Sequence, residues 1–349
     1  MNSIKVEESK PLINVGVVGC GYWGPNLIRN LRSLPNCRMR AMADMQPARL
    51  GHMKSLYPEV QAFTDFDDML NTGGIDAAVV ATPVKHHHKL AKASLEAGKH
   101  TFIEKPMAAT SGECEELIEI ADRNGLILMV GHTFIYSSAI QKISEIISTG
   151  DVGEIRYINS RRLNLGLFQP DINVAWDLAP HDISIILNIL KDTPIQINCQ
   201  GNAHVTPGVE DVTNMSLTFP DNRFATIVYD DLEPIEKIRI YDVRVDRPRH
   251  YDTFGEFHYS YHYGDSYIPH IDQAEPLKSE CQHFLNCIAE GTQPMTCGRK
   301  GLQLVRILEA SSESIRRSGA PVDLIASDPI ETPSDGIAHI TGEVPTHVK

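Results

Sequence analysis

Apolar residues in the first third of the chain fall into short unbroken runs, with stretches of helical spacing between them. Val15, Val17 and Val18, then residues 75–81 and 126–130, read as buried strands, and 38–44, which ends in an acid, and 100–103 read as further strands. Residues 26–31, 90–97 and 113–124 carry apolar positions three and four apart, which predicts helices, the second of them closed by Gly98. Strands alternating with helices predict a parallel sheet, with ligands at the carboxyl ends of its strands. Past residue 135 the rhythm changes. One helix, 139–148, presents Ile140, Ile143, Ile146 and Ile147 on one side and stops at Gly150. Strand-like stretches follow at 155–162, 195–203, 212–219, 224–229 and 237–245, several parted by turn residues such as Asp221-Asn222. They predict a second, mostly antiparallel sheet. Helices are expected at 276–289 and 302–317, with Gly291 and Gly319 as stops, and residues 327–349 lose all periodicity, as a tail or arm would. The fold class is therefore α/β, with a parallel-sheet domain over 1–134, an α+β domain over 135–326 and a tail over 327–349.

The first strand runs straight into Gly19-Cys-Gly21-Tyr22-Trp23-Gly24, a G-x-G-x-x-G turn that opens a helix. The first glycine permits the tight turn, the second lets backbone approach a pyrophosphate and the third lets helix and strand pack closely. The helix start offers unpaired N–H groups to phosphates, and Pro25 suits a first turn. Asp44, 20 residues beyond Gly24, ends the second strand where a carboxylate would accept hydrogen bonds from a ribose and repel a 2′-phosphate. NAD is expected over NADP, although Arg49 keeps NADP in play.

Composition narrows the class further. At 349 residues with 42% hydrophobic content, the chain has enough for about two ordinary cores. Its net charge of −13 speaks against nucleic acid or an anionic membrane as partner, and no apolar run reaches spanning length. Met1 to Lys10 is polar and lacks the apolar centre of a signal peptide, and seven scattered cysteines contain no C-x-x-C pair. A cytoplasmic protein with reduced thiols is expected. His86, His87 and His88 are consecutive, so their side chains diverge, and no metal site is expected.

Gly19-x-Gly21-x-x-Gly24, Ala81-Thr82-Pro83 with His87 four residues beyond the proline, and Glu104-Lys105-Pro106 occur in that order. Together they resemble the glucose–fructose oxidoreductase/inositol dehydrogenase/MocA family from about residue 12 to about residue 325. The resemblance implies a Rossmann domain followed by an α+β domain built on a large open sheet. It also implies association into a homodimer or homotetramer through that sheet. Tyr22, Trp23, Thr82, Pro83, His87 and Glu104 join the glycines and Asp44 as expected cofactor contacts. Lys105, which position alone leaves as either a functional group or a solvated turn lysine, would stand beside the nicotinamide and the substrate hydroxyl.

In the second half Trp176-Asp177-Leu-Ala-Pro180-His181-Asp182 carries the most chemistry. Pro180 is expected in the first turn of a helix, since deeper it would break one. Asp177 would then cap the helix, with His181 one turn on. The family's D-x-x-x-H falls here, which assigns Asp177 and His181 to the site. A histidine near a helix N-terminus is biased towards the neutral form that a base requires. A lysine at its ordinary pKa of about 10.4 is a poor base near neutrality, so the proton is assigned to His181, with Lys105 as the alternative. Arg161-Arg162-Leu-Asn164, Asp171-Ile-Asn173 and Glu275-Pro-Leu are similar to nucleotide-sugar 3-dehydrogenases. Arg161 and Arg162 would meet a pyrophosphate or uronate, and Asn164 and Asn173 the sugar hydroxyls. The expected function is NAD-dependent oxidation of a secondary hydroxyl, at C3 of a UDP-linked N-acetylhexosamine or its uronic acid. The rivals are an inositol, free-sugar or sugar-phosphate dehydrogenase, an enzyme cleaving glycosides with tightly held NAD, and a non-catalytic NAD sensor.

Overall fold

The computed structural model describes residues 11–150, 153–163, 172–230, 243–246, 260–263, 271 and 274–324. Strands β1 (Ile13–Val18), β2 (Cys37–Ala43), β3 (Gln61–Phe63), β4 (Ala77–Val80), β5 (His100–Glu104) and β6 (Leu128–Gly131) alternate with helices α1 (Gly24–Arg32), α2 (Pro47–Leu56), α3 (Phe66–Thr72), α4 (His87–Glu96) and α5 (Ser111–Asn124). The six strands form one parallel sheet in the order β3-β2-β1-β4-β5-β6. That order reverses direction between β1 and β4, and the crevice outside the carboxyl ends at such a switch point is where α/β sheets bind ligands. The expected α/β class and parallel sheet are observed. Elements α2, β3 and α3, which the apolar pattern did not announce, fill residues 47–72.

A 3-10 turn, Thr133–Tyr136, leads to α6 (Ser138–Thr149), β7 (Tyr157–Leu163) and the long helix α7 (Val174–Leu190). After them come β8 (Gln196–Asn202), β9 (Val212–Thr218), β10 (Phe224–Asp230), β11 (Val243–Asp246) and β12 (Ser260–Tyr263). Helices α8 (Pro276–Glu290) and α9 (Gly298–Arg316) and the short β13 (Val322–Asp323) end the described chain. The second sheet has the order β13-β8-β9-β10-β7, antiparallel throughout except where β7 runs parallel to β10. Its inward residues, among them Ile197, Cys199, Met215, Leu217, Ala225 and Ile227, pack with residues of α7 and α9 into one core. The outward row is mixed in polarity. Asn198, Asn214 and Ser216 stand beside Val228, and the rings of Tyr157 and Phe224 stack at 5.6 Å where β7 meets β10. Of the strand expected at 237–245, residues 237–242 lie outside the described residues, as do Asn164, Asp171 and the tail, while β11 pairs with β12 in a separate two-stranded sheet rather than joining the second sheet.

Pro180 corrects the expectation for α7. The helix begins six residues earlier, at Val174, and carries Pro180 inside it. Asn173, not Asp177, is the N-cap: its Oδ1 accepts from the Trp176 N–H at 3.1 Å, and its Nδ2 donates to Glu210 Oε2 at 2.9 Å. A proline here leaves the Trp176 carbonyl without its helical donor. The loss is tolerated because α7 is held from outside the ladder. Ala175, Ala179 and Ile183 are fully buried against the second sheet, and the Trp176 indole N–H donates to Ser312 Oγ on α9 at 2.9 Å.

Helix α8 returns the chain to the first sheet. Leu277, Cys281, Phe284 and Leu285 join the core of β1, β4 and α1, with the Phe284 ring edge-on to Phe102 at 5.7 Å. Glu275 grips Arg29 through two hydrogen bonds and also accepts from Asn30 Nδ2 at 2.9 Å. Those contacts hold its carboxyl at about 2, well below the ordinary carboxylate range. The Glu275-Pro-Leu stretch thus starts a helix and clamps it to α1. Truncating the wholly buried Phe284 to alanine should cost about 3–5 kcal/mol of stability. Urea denaturation of the full chain measures this, and a loss below about 1 kcal/mol would show that α8 is not part of the first core.

Candidate active site

The glycine turn fits a dinucleotide by steric demand. Gly19 adopts φ 98°, and a Cβ there would lie 2.5 Å from the Ala81 carbonyl oxygen on the neighbouring strand's exit. A Cβ on Gly24 would lie 1.8 Å from the Gly19 carbonyl oxygen, so no side chain is admitted while the turn keeps this shape. Helix α1 starts at Gly24 with no side-chain cap; Pro25 has no N–H and the Asn26 N–H donates to the Trp23 carbonyl at 3.0 Å, so the turn before the helix, rather than its second and third residues, faces a phosphate. Trp23 occupies the cap position with its ring beside Tyr22, which is exposed. Thr82 Oγ1, just past β4 in the same crevice, is buried with no partner among the described residues. Asp44 lies at the tip of β2, nearly buried. Its Oδ2 accepts from the Cys20 N–H and its Oδ1 from the Gln46 N–H, both at 2.8 Å, and Arg49 stands 3.8 Å away. An ionised carboxylate has lone pairs for more than these two donors.

His87 departs from its expected role. Its ring is buried, with Nδ1 2.8 Å from the Pro106 carbonyl and Nε2 2.6 Å from the Thr82 carbonyl. The neutral ring has one N–H and donates to one of these two carbonyls at a time, so the side chain lies between the loops after β4 and β5 and does not itself reach for a cofactor. Burial is the largest influence on its pKa and pulls it below the usual histidine value. His88 turns the other way, to Glu116, which confirms that these consecutive histidines diverge. Among the described residues no group of three metal-ligating side chains converges.

Glu104, Lys105 and Pro106 follow β5 at the carboxyl edge, with a cis bond between Lys105 and Pro106. The Lys105 ammonium crosses to the other half of the molecule. It donates to the Asp177 backbone carbonyl at 2.7 Å and lies 3.4 Å from Asp177 Oδ1. Asp177 therefore engages Lys105, and no side-chain hydrogen bond joins it to His181 among the described residues. His181, one turn along α7, has its Nδ1 buried without a partner and its ring edge-on to Phe134 at 4.8 Å. Burial holds the His181 pKa well below the usual range, and the positive charges of Lys105 and Arg162 add to that effect. At neutral pH the imidazole is uncharged and able to accept a proton.

Arg162 lies behind this group. Its Nε donates to Asp182 Oδ2 at 2.8 Å, its guanidinium lies 4.9 Å from the Phe134 ring centre, and Ser160 Oγ donates to Asp182 Oδ1. Phe134 is thus held between Arg162 and His181, a contact the sequence pattern did not single out. Arg161 is exposed on β7, on the opposite side of the strand from Arg162. Asn173 is committed at both ends of its amide to capping and to Glu210. The structure therefore brings together Lys105, Asp177, His181 and Arg162 beside the glycine crevice, and leaves Arg161 and Asn173 outside that cluster.

A Rossmann crevice with a lysine, a neutral histidine and an aspartate beside it is a candidate oxidoreductase site. The chain belongs to the Gfo/Idh/MocA oxidoreductases: residues 13–132 match the oxidoreductase family with an NAD-binding Rossmann fold, and residues 140–246 match its GFO/IDH/MocA C-terminal domain. Among curated relatives it is 27% identical over 314 residues to UDP-N-acetylglucosamine 3-dehydrogenase of Acidithiobacillus ferrooxidans, covering 86% of this chain and 95% of the relative. The crystal structure of that kind of enzyme from the same organism superposes with a TM-score of 0.74 at 22% identity, covering 88% of this chain and 99% of the other. Scyllo-inositol dehydrogenase from Lactobacillus casei, solved with NAD(H) and scyllo-inositol, gives 0.73 at 18% identity, covering 89% and 99%. At these identities the two structures speak to the fold.

Opening the wall of the imidazole pocket should release the His181 pKa. Phe134→Ala admits water to a ring whose charged form is penalised mainly by burial, so the pKa should rise towards the ordinary value of about 6.5. Histidine resonances followed by NMR across pH give the answer, and an unmoved His181 would remove Phe134 as the cause of its desolvation.

Proposed function

We propose that the chain is an NAD-dependent dehydrogenase oxidising a secondary hydroxyl of a pyranose, at C3 of a UDP-linked N-acetylhexosamine or its uronic acid. The observation that carries this is the Lys105 ammonium, anchored 2.7 Å from the Asp177 carbonyl and so fixed between the cofactor crevice and the His181 helix. NAD, when bound, supplies the hydride acceptor. The turn from Gly19 to Gly24 would hold its pyrophosphate, and Asp44 its adenosine ribose. Thr82 Oγ1, orphaned in the crevice, is a further donor for it.

The protein's own groups divide the remaining work. Lys105 hydrogen-bonds the reacting hydroxyl and stabilises the negative charge that grows on its oxygen. His181, uncharged at neutral pH, takes the hydroxyl proton as general base. Asp177 positions Lys105 through its carbonyl and carboxylate. Arg162, pinned by Asp182, supports the wall next to His181 and keeps a positive charge at the sugar end of the crevice. The likeness to UDP-N-acetylglucosamine 3-dehydrogenase along nearly the whole chain favours a nucleotide sugar. The Asp44 carboxylate favours NAD, since a 2′-phosphate would meet its charge. The outward face of the second sheet, with Tyr157 and Phe224 exposed on it, is the proposed contact of a homodimer or homotetramer. A monomer by light scattering would remove that assembly.

Purified protein with NAD should reduce the cofactor on UDP-N-acetylglucosamine or its uronic acid, more slowly or not at all on inositols and hexose phosphates, and with NAD preferred to NADP. Turnover only on an inositol would move the substrate class, and turnover on none of the panel would favour a sensor.

Two substitutions separate binding from chemistry. Lys105→Met keeps the apolar stem and should lower kcat about 10²–10³-fold. His181→Asn should lower it about 10²–10⁴-fold. NAD affinity, set by the glycine turn and Asp44, should change little in either, as isothermal titration would report. Near-wild-type turnover in His181→Asn would hand the proton to Lys105.

A further inference from the structure

Two carboxyl groups are buried behind the crevice. Glu104 ends β5 directly before Lys105 and faces Gly131 on β6, where a Cβ would come within 3.1 Å of its carboxyl. Glu280, on α8, has no exposure at all, and its Oε2 accepts from Thr133 Oγ1 at 2.7 Å, two residues past Gly131. Both side chains thus pack against the end of β6, Glu104 at Gly131 and Glu280 at Thr133. On each, Oε1 is buried with no hydrogen-bond partner among the described residues. Glu280 lies on the apolar stripe of α8 with Leu277, Cys281 and Phe284, a place where an ionised carboxylate would be costly.

The groups facing this pair come from every surrounding element. Lys105 and the Trp23 indole stand next to Glu104 and favour its charged form. His132 is buried with neither ring nitrogen partnered, and burial takes its pKa down to about 3, so it is neutral. Tyr136, hydrogen-bonded to Thr296 and pushed up by burial, is also neutral, as is the Cys281 thiol on α8. Lys105 is therefore the one cation among these neighbours, against two carboxyls. Burial pushes Glu104 up to about 7 and Glu280 well above the ordinary value, the charge of Glu104 adding to the latter. Two carboxylates in one buried site do not both ionise.

We propose that Glu104 and Glu280 hold one proton between them, on Glu280, and that Glu280 is a positioning residue which keeps Glu104 ionised behind Lys105. A carboxylic O–H on Glu280, acting directly or through one water, gives the Glu104 carboxylate a donor besides the Trp23 indole N–H, which is buried next to it with no other partner among the described residues. The pair then presents a single negative charge to the lysine. The effect on turnover rests on the role given to Lys105 above, while the proton count does not.

Linkage measures the proton without any substrate. A carboxyl whose folded pKa lies above its unfolded value, about 4.3, stabilises the fold below that value and loses the contribution as pH rises towards the folded pKa. Relative to Glu280→Gln, wild type should therefore lose stability steadily between about pH 5 and pH 8, read as a difference in denaturation midpoint that moves in the variant's favour as pH rises. A constant difference across that range overturns the proposal. Should Glu280→Gln not fold, infrared spectra of wild type in heavy water at about pH 8 must still show the C=O stretch of a protonated carboxylic acid, and its absence overturns the proposal equally.

The pH profile of NAD reduction on UDP-N-acetylglucosamine tests the positioning. Glu280→Leu removes the donor, so Glu104 should protonate more readily and the acid limb should move up by about one unit or more. Glu280→Gln restores a neutral donor and should return the limb towards its wild-type place. An acid limb unmoved by Glu280→Leu, or one displaced equally by both variants, overturns the positioning role. Failure of every variant and of wild type to reduce NAD would count against the proposed function, with the linkage and infrared results still deciding the shared proton.

Discussion

The contact on which the proposed chemistry depends is the reach of the Lys105 ammonium from the first sheet to the Asp177 carbonyl on α7. One end of the lysine is fixed by its place directly after β5 and by His87, whose ring lies against the Pro106 carbonyl. The other end is fixed by a helix whose regular ladder Pro180 interrupts one residue before that carbonyl's own position in the turn. A charged donor given to a backbone carbonyl forms a stronger bond than a neutral one. It also leaves the remaining ammonium hydrogens directed by the helix rather than by solvent. The nucleotide half and the substrate half are thereby registered on one atom.

Around that atom the charges are graded by burial. Asp182 and Arg162 satisfy each other, so Arg162 brings a positive field to His181 without being a free cation. His181 responds by staying neutral, and His132 more so. On the far side, Glu104 and Glu280 sit in apolar surroundings that resist more than one negative charge. The centre is thus poor in mobile protons around neutrality except on its carboxyl side. For an alcohol oxidation this matters, because the transition state places new negative charge on one oxygen and the surrounding charges must already be set.

Much of the first sheet was legible in the sequence because parallel strands buried on both faces must be apolar throughout, as 77–81 and 126–130 are. Helix α2 was not, since only Leu50 and Met53 of its ten residues are buried and its apolar stripe is correspondingly thin. Helix α7 was misplaced for a definite reason: proline's cost in a helix interior was taken as decisive, and tertiary packing on the second sheet outweighs it. The glycine turn and Asp44 could be read from spacing alone. Lys105 and Asp177 could not, because nothing in local pattern joins residues 72 apart in the chain, and only the family resemblance put them together. Glu280 did leave a mark, a carboxylate on the apolar stripe of α8, whose meaning needed the fold to be seen.

The central claim is that this crevice removes a hydride from the sugar's C3 and delivers it to NAD. UDP-N-acetylglucosamine carrying deuterium at sugar C3 tests it most directly. The proposed chemistry predicts that the label appears on the reduced nicotinamide and leaves a 3-keto sugar behind. Reduced cofactor without deuterium, or label retained on the sugar, would contradict it.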